Sequence, residues 1–241
     1  MQCFTATDIG LLRDENQDRV QAEQFGERWL AVVCDGMGGE RSGSQASEIA
    51  IRELFDRFRH GCKPEMDVDD VRAVLLASVS AANSVIYTTS RMDYRCYGMG
   101  TTCVAAFVER EWISIANVGD SRAYLIENGT IRLLTKDHTV VNMLLQQGKI
   151  TRDQIATHPK RHMLTRAVGV ERIIRPDFYR IPRRDDCILL LCSDGLSGAC
   201  TPNEILAAVQ GNETQAIPQA LVGLALEKGG RDNISLAIIT P

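Results

Sequence analysis

The sequence predicts an α+β fold in which two antiparallel sheets lie between helical layers, a four-layer α/β/β/α sandwich. Successive strand-type runs are joined by tight turns, most clearly at Asn128-Gly129, and a hairpin forces antiparallel pairing. Two long stretches of helical period follow one another across a short connection at 61–64, which lays the helices side by side in one layer. Apolar runs also end repeatedly on an aspartate followed or preceded by glycine: 31–39, 188–195 and, more loosely, 113–120.

Taken in order, Cys3 to Asp8 has β character, and residues 9–18 read as a polar loop. A solvated turn would explain that loop, but Arg13 stands there among acids near a strand end, and its planar fork suits a phosphate. Trp29 to Cys34 is a buried strand that delivers Asp35 to the glycine turn Gly36-Met37-Gly38-Gly39. Glycines let backbone approach whatever the carboxylate holds. From Ser42 to Arg59 the period becomes helical, with Ala46, Ala50, Ile51, Leu54, Phe55 and Phe58 on one face and a stop at His60-Gly61. A second helix spans about 66–91, burying Val71, Val74, Leu75, Val79, Ala82 and Ile86.

Strands follow at 102–108 and 112–118, then at 123–126 and 131–134 around Asn128-Gly129. Residues 137–147 read as a short helix closed by Gly148. The polar stretch 149–162, with His158 and His162, is either a mobile flap over a site or an ordinary surface excursion. Residues 181–186 form a charged turn before the strand that ends on Ser193-Asp194-Gly195. Thr201-Pro202-Asn203-Glu204 is a capping box with proline at the first helical position. Pro218 opens a last helix that stops at Gly229-Gly230, and 234–239 is the final strand.

The totals narrow the class. A chain of 241 residues with 44% hydrophobic content and no Pro/Ser-rich linker fits one domain, 1–241. A net charge of −4 without a basic patch argues against nucleic-acid binding. No apolar run reaches the ~20 residues of a membrane span and no signal peptide is present, so a cytoplasmic protein is expected. Of the eight cysteines, Cys34, Cys103, Cys187 and Cys192 lie in strand-like runs, and none has zinc spacing. They read as reduced core thiols.

Asp18, Asp35, Asp120, Asp194 and Asp232 all fall at strand ends and turns. Any one of them is explained as a turn-former or cap. If they converge, their mutual repulsion requires cations, and a site of aspartates and glycine carbonyls favours Mg²⁺ or Mn²⁺ over Zn²⁺. Two such ions ~3.5–4 Å apart would activate a bridging water for in-line displacement at phosphorus. With Arg13 clamping the phosphate oxygens, the reaction class is phosphoester hydrolysis.

The ordered series Arg13…Asn16-Gln17-Asp18, Asp35-Gly36-Met37-Gly38-Gly39, 98–102, Gly119-Asp120-Ser121-Arg122, 164–169, Ser193-Asp194-Gly195 and Asp232-Asn233-Ile234 resembles the motif set of the metal-dependent type 2C protein serine/threonine phosphatases in their compact bacterial form. The resemblance runs from about residue 5 to residue 239. It implies the sandwich fold and dephosphorylation of phosphoserine and phosphothreonine in proteins by a metal-bridging water or hydroxide, opposing a Ser/Thr kinase. It also implies roles. Asp35 would bridge two metals with the Gly36 carbonyl on one; Asp194 and Asp232 would complete the other. Asp18 would act through water, and Asp120 with Asp194 would hold a third, looser ion. Arg13 would bind the substrate phosphate, and about 148–165 would be the flap.

Three positions depart from the family pattern: Gln17 for a frequent Glu, and Glu40 and Ser44 for a His and a Glu of bacterial relatives. Met37, shared with bacterial members, replaces a eukaryotic His. The expected protein is a monomer whose partners are phosphoproteins and a cognate kinase. Two other functions compete: hydrolysis of small phosphoesters, and a pseudophosphatase that binds phosphoproteins without turnover. The full set of aspartates argues against the second.

Overall fold

The computed structural model describes residues 1–38 and 42–241. Gly39 and the departure at Glu40 therefore lie outside the described residues. The chain opens with β1 (Gln2–Asp8), β2 (Asp18–Phe25) and β3 (Arg28–Met37), then the helices α1 (Ser42–Gly61) and α2 (Val68–Met92). Strands β4 (Gly100–Thr101), β5 (Cys103–Val108), β6 (Trp112–Val118), β7 (Arg122–Glu127) and β8 (Thr130–Leu133) come next, followed by the short α3 (Val140–Gln146). The chain closes with β9 (Asp177–Pro182), β10 (Ile188–Cys192), α4 (Asp194–Ser197), α5 (Pro202–Gln210), α6 (Ile217–Glu227) and β11 (Ile234–Thr240).

The strands form two sheets, ordered β1-β11-β10-β7-β8 and β2-β3-β5-β6-β9, with β4 added on β3; all pairings are antiparallel. Side chains alternate across a strand, so a strand covered on both faces is mainly apolar along its length. β3 shows this directly. Leu30, Val32 and Cys34 point to the core under α1 and α2, whereas Ala31 and Val33 point to the core between the sheets. Leu54, Phe58 and Leu75 complete the first of these cores. A third core joins Leu190, Leu236 and Ile238 to Ile205 and Leu221 of α5 and α6. The result is the expected helix, sheet, sheet, helix stack.

Local chemistry sets the turns and caps. Asn128 and Gly129 take φ of 49° and 70°, the paired positive values of the tightest hairpin. Thr201 caps α5 and Glu204 returns the bond, as the capping box requires. By length and composition α2 is the one helix among the described residues that would pass for a membrane span. Its apolar stripe, Val71, Leu75, Val79, Ala82 and Ile86, is instead buried in the core. All eight cysteines are free, and Cys34, Cys103, Cys187 and Cys192 are buried.

Several local expectations need correction. Asp18 is the first residue of β2, not the end of a loop. β2 as a whole and β9 carry no clear strand pattern in the sequence, and Ile181-Pro182 belong to β9, leaving a shorter charged turn. α3 starts at Val140, because Thr139 is extended and caps it by accepting from the Asn142 N–H at 3.3 Å.

Candidate active site

One end of the sandwich opens into a cavity of about 1070 Å³. Arg13, Asp35, Gly36, Asp120, Asp194 and Asp232 all line it. Asp18 lies behind its wall, 2% exposed. The strand register explains the convergence. Asp18 and Asp35 are direct partners across β2 and β3, Asp194 follows β10, Asp232 precedes β11, and Asp120 sits between β6 and β7. Like charges directly opposite on neighbouring strands are destabilising, so this pairing needs a compensating partner.

Neutral donors and backbone bonds hold Asp18, Asp35 and the segment around Asp232 in place. Ser193 Oγ donates to Asp18 Oδ2 at 2.7 Å. The Asp35 N–H donates to Thr102 Oγ1 at 2.9 Å, and the Asp35 carbonyl accepts from the Thr101 hydroxyl and the Thr102 N–H. Thr102 and Ser121 share a further hydroxyl bond of 2.6 Å. Asn233 ties Asp232 to the loop after β1, donating to the carbonyls of Ile9 and Glu15 and accepting from the Gln17 N–H. Gly119, with φ of 102°, lets the Asp120 loop pass over Thr102, where a Cβ would stand 2.6 Å from its methyl group.

The electrostatics express the crowding. Burial pushes the Asp18 carboxyl up to about 7 despite its serine donors, with Asp194 and Asp232 adding to the rise. Burial raises Asp35 well above the usual carboxylate range, and Asp18, Asp194 and Asp120 raise it further. Asp120 is pushed up to about 7 by burial and by Asp194. Asp194 is raised by burial and by Asp232, opposed by contact with Asp35 and by His162 and Arg13. Arg13 donates to Asp232 at 2.7 Å and remains half exposed at the rim.

Asp194 Oδ1 is buried without any hydrogen-bond partner, the sign of an oxygen that lacks its counter-ion. Among the described residues, no three acid, His or Cys side chains by themselves close around an ion. Mg²⁺ and Mn²⁺ tolerate this arrangement, because they take a few carboxylates and complete their shells with carbonyl oxygen and water. The residues fit such ions.

Reasoning from sequence passed over the supporting hydroxyls of Thr102, Ser121 and Ser193 and the amide of Asn233. Their neighbours in the motifs were the only signal. Of the departures, Gln17 lines the cavity and packs on Gly43, and Ser44 donates to Glu15 at 2.6 Å. The excursion after α3 returns to its own base: Val140 N–H donates to the Met163 carbonyl and Thr165 N–H to that of His138, each at 2.8 Å. That return brings His162, Met163 and Leu164 to the cavity wall.

The family model for protein phosphatase 2C matches residues 13–218. The chain belongs to the protein phosphatase 2C family. It is accordingly a metal-dependent protein serine/threonine phosphatase. The serine/threonine phosphatase Stp of Listeria welshimeri is 36% identical over 239 residues, covering 97% of this chain and 93% of that protein. A solved serine/threonine phosphatase from S. agalactiae superposes with a TM-score of 0.92 at 31% identity, over 100% of this chain and 99% of the other. The catalytic domain of the phosphatase PstP, solved in complex with 2 manganese ions, superposes with a TM-score of 0.85 at 33% identity, over 98% and 96%. The protein phosphatase 2C fold thus accounts for the architecture, and its Mn²⁺ or Mg²⁺ dependence agrees with the oxygen-rich cavity.

Proposed function

We propose that this phosphatase hydrolyses phosphoserine and phosphothreonine in protein substrates at the aspartate cavity and so opposes a Ser/Thr kinase. The observation that carries this reading is buried Asp18 in direct register with half-buried Asp35, with an orphaned Asp194 oxygen beside them. Asp35, the Gly36 carbonyl, Asp194 and Asp232 would hold two divalent ions, and Asp120 with Asp194 a third. When bound, the ions neutralise the carboxylates, lower the pKa of water at the site and draw charge from the phosphoryl oxygens.

The chain's own groups supply position. Arg13 turns from Asp232 to the non-bridging phosphate oxygens, where a planar guanidinium makes two parallel bonds. Asp18, held by Ser193, keeps a proton acceptor behind Asp35 and fixes its orientation through β2. Residues 148–165 act as a flap that places His162 and Met163 against the substrate chain, and Met37 lines the floor without a titrating group. Domain 1–241 works as one unit in this reading.

Phosphate release from phosphothreonine, phosphoserine and phosphotyrosine peptides and from an aryl phosphate, each with Mn²⁺, tests the proposal. Preference for the first two peptides supports it. Turnover of the aryl phosphate alone would transfer the activity to small phosphoesters. Binding of phosphopeptides without turnover would make the protein a pseudophosphatase.

A further inference from the structure

A second cavity, about 900 Å³, lies at the opposite end of the sandwich. Arg28 opens β3 and Asp35 lies near its far end, so at ~3.3 Å per residue the two cavities are about 20 Å apart. The second sheet sends a row of side chains to its wall: Arg28 of β3, Glu109 just past β5, Trp112 of β6 and Arg180 of β9. The connection between α1 and α2 closes the other side, with Met66 among its lining residues.

This row is electrostatically incomplete. Glu109 follows the Trp29–Val108 pair and therefore stands opposite Arg28, and it feels the charge of both arginines. Yet among the described residues it makes an ion pair with neither. The Arg28 guanidinium lies over the Phe107 ring and donates to the Lys63 carbonyl at 2.8 Å. The Arg180 guanidinium lies 4.7 Å over the Trp112 ring. Glu109 Oε2 and Arg180 Nη1 are buried without partners. Burial raises the Glu109 carboxyl even against the pull of two cations. Buried charges left apart in this way are costly and call for a group that joins them.

The wall carries four basic and four acidic side chains, which disfavours a ligand of high net charge such as a nucleotide or a free divalent ion. Phe25, Met66 and Trp112 add apolar surface. We propose that this cavity is a binding site for a zwitterionic α-amino acid with an apolar side chain. The ammonium sits on Glu109, the carboxylate on Arg180, and the side chain lies against Trp112 and Met66. No part of this depends on the chemistry at the aspartate cavity.

Trp112 provides the readout, since the chain has only one other tryptophan, Trp29, which packs toward the core between the sheets. The Mn²⁺-loaded protein is titrated with L-phenylalanine, L-leucine and L-methionine, following tryptophan fluorescence and heat. Saturable binding is expected, with a fluorescence change that Trp112→Phe abolishes. Phenylalaninamide and 3-phenylpropionate each lack one charge and should bind roughly tenfold more weakly or worse, as should phenylalanine to Glu109→Gln or Arg180→Gln. The two analogues are tested on unaltered protein, so their result does not depend on a variant folding. No saturable binding by any of the three amino acids, or equal binding of the amide and the parent amino acid, would overturn the proposal.

Discussion

Asp35 sits opposite Asp18, touches Asp194 and is held through its backbone by Thr101 and Thr102, so its carboxylate is fixed where repulsion is greatest. In the proposed roles, Asp35→Asn or Asp232→Asn lowers kcat at least about a hundredfold while circular dichroism remains that of the folded protein. Full activity in either would remove that residue from the site. Arg13→Ala should raise KM about tenfold or more for a phosphopeptide and change kcat less, because a charge-assisted bond to the bound phosphate is lost. Ser193→Ala removes a donor from buried Asp18, and Mn²⁺ affinity measured by calorimetry should fall about tenfold. At this scale Asp35, Asp120 and Asp194 were legible because each stands beside a glycine in a short motif, and Asp18 and Asp232 because they belong to the ordered motif series. The hydroxyls behind them were not, since a buried Ser or Thr has no pattern in the chain that separates it from a surface one.

Among the elements, the junction of β3 with α1 leaves no room for a side chain. A Cβ on Gly36 would fall on the Gly43 carbonyl oxygen and stand 2.6 Å from that of Gln17. Both obstacles are backbone, so neither can rotate away. Gly36→Ala should therefore cost about 3 kcal/mol or more, seen as a lower denaturant midpoint. A midpoint unchanged from the parent would mean that the turn repacks freely. Legibility differed by position in the sheet. β3, β5, β6, β10 and β11 are covered on both faces and read as mainly apolar runs. β2 and β9 are the two edges of the second sheet, and their half-buried residues, such as Gln21, Glu23 and Arg180, give no clean alternation. Pairing with β3, invisible in the local sequence, is what makes residues 18–25 a strand.

Across the whole molecule, two stacked sheets bring strand ends from both into one cavity, and the sum of their charges becomes a property of the fold. Burial pushes the Asp18 and Asp120 carboxyls up to about 7 in the folded protein without metal, against ordinary values of about 4 when unfolded. The folded state thus holds more protons than the unfolded state between those limits, and stability must fall as pH rises from about 4 to about 7. Melting temperatures in excess chelator should decline over that range, and Mn²⁺ should raise them most at the upper end, where the acids are ionised. A pH-independent melting temperature in chelator would show that the carboxylates are compensated within the protein. The order of sandwich layers was readable from helix pairs and hairpins. The meeting of Asp18 with Asp35, and the second cavity at the far end, depend on strand register and were not.

The most direct measurement is a calorimetric Mn²⁺ titration of the chelator-stripped protein and of Asp35→Asn. The parent should bind two equivalents tightly and a third more weakly, and the variant should lose the tight pair. The same tight stoichiometry in both proteins would contradict the claim that the aspartate cavity is the metal centre.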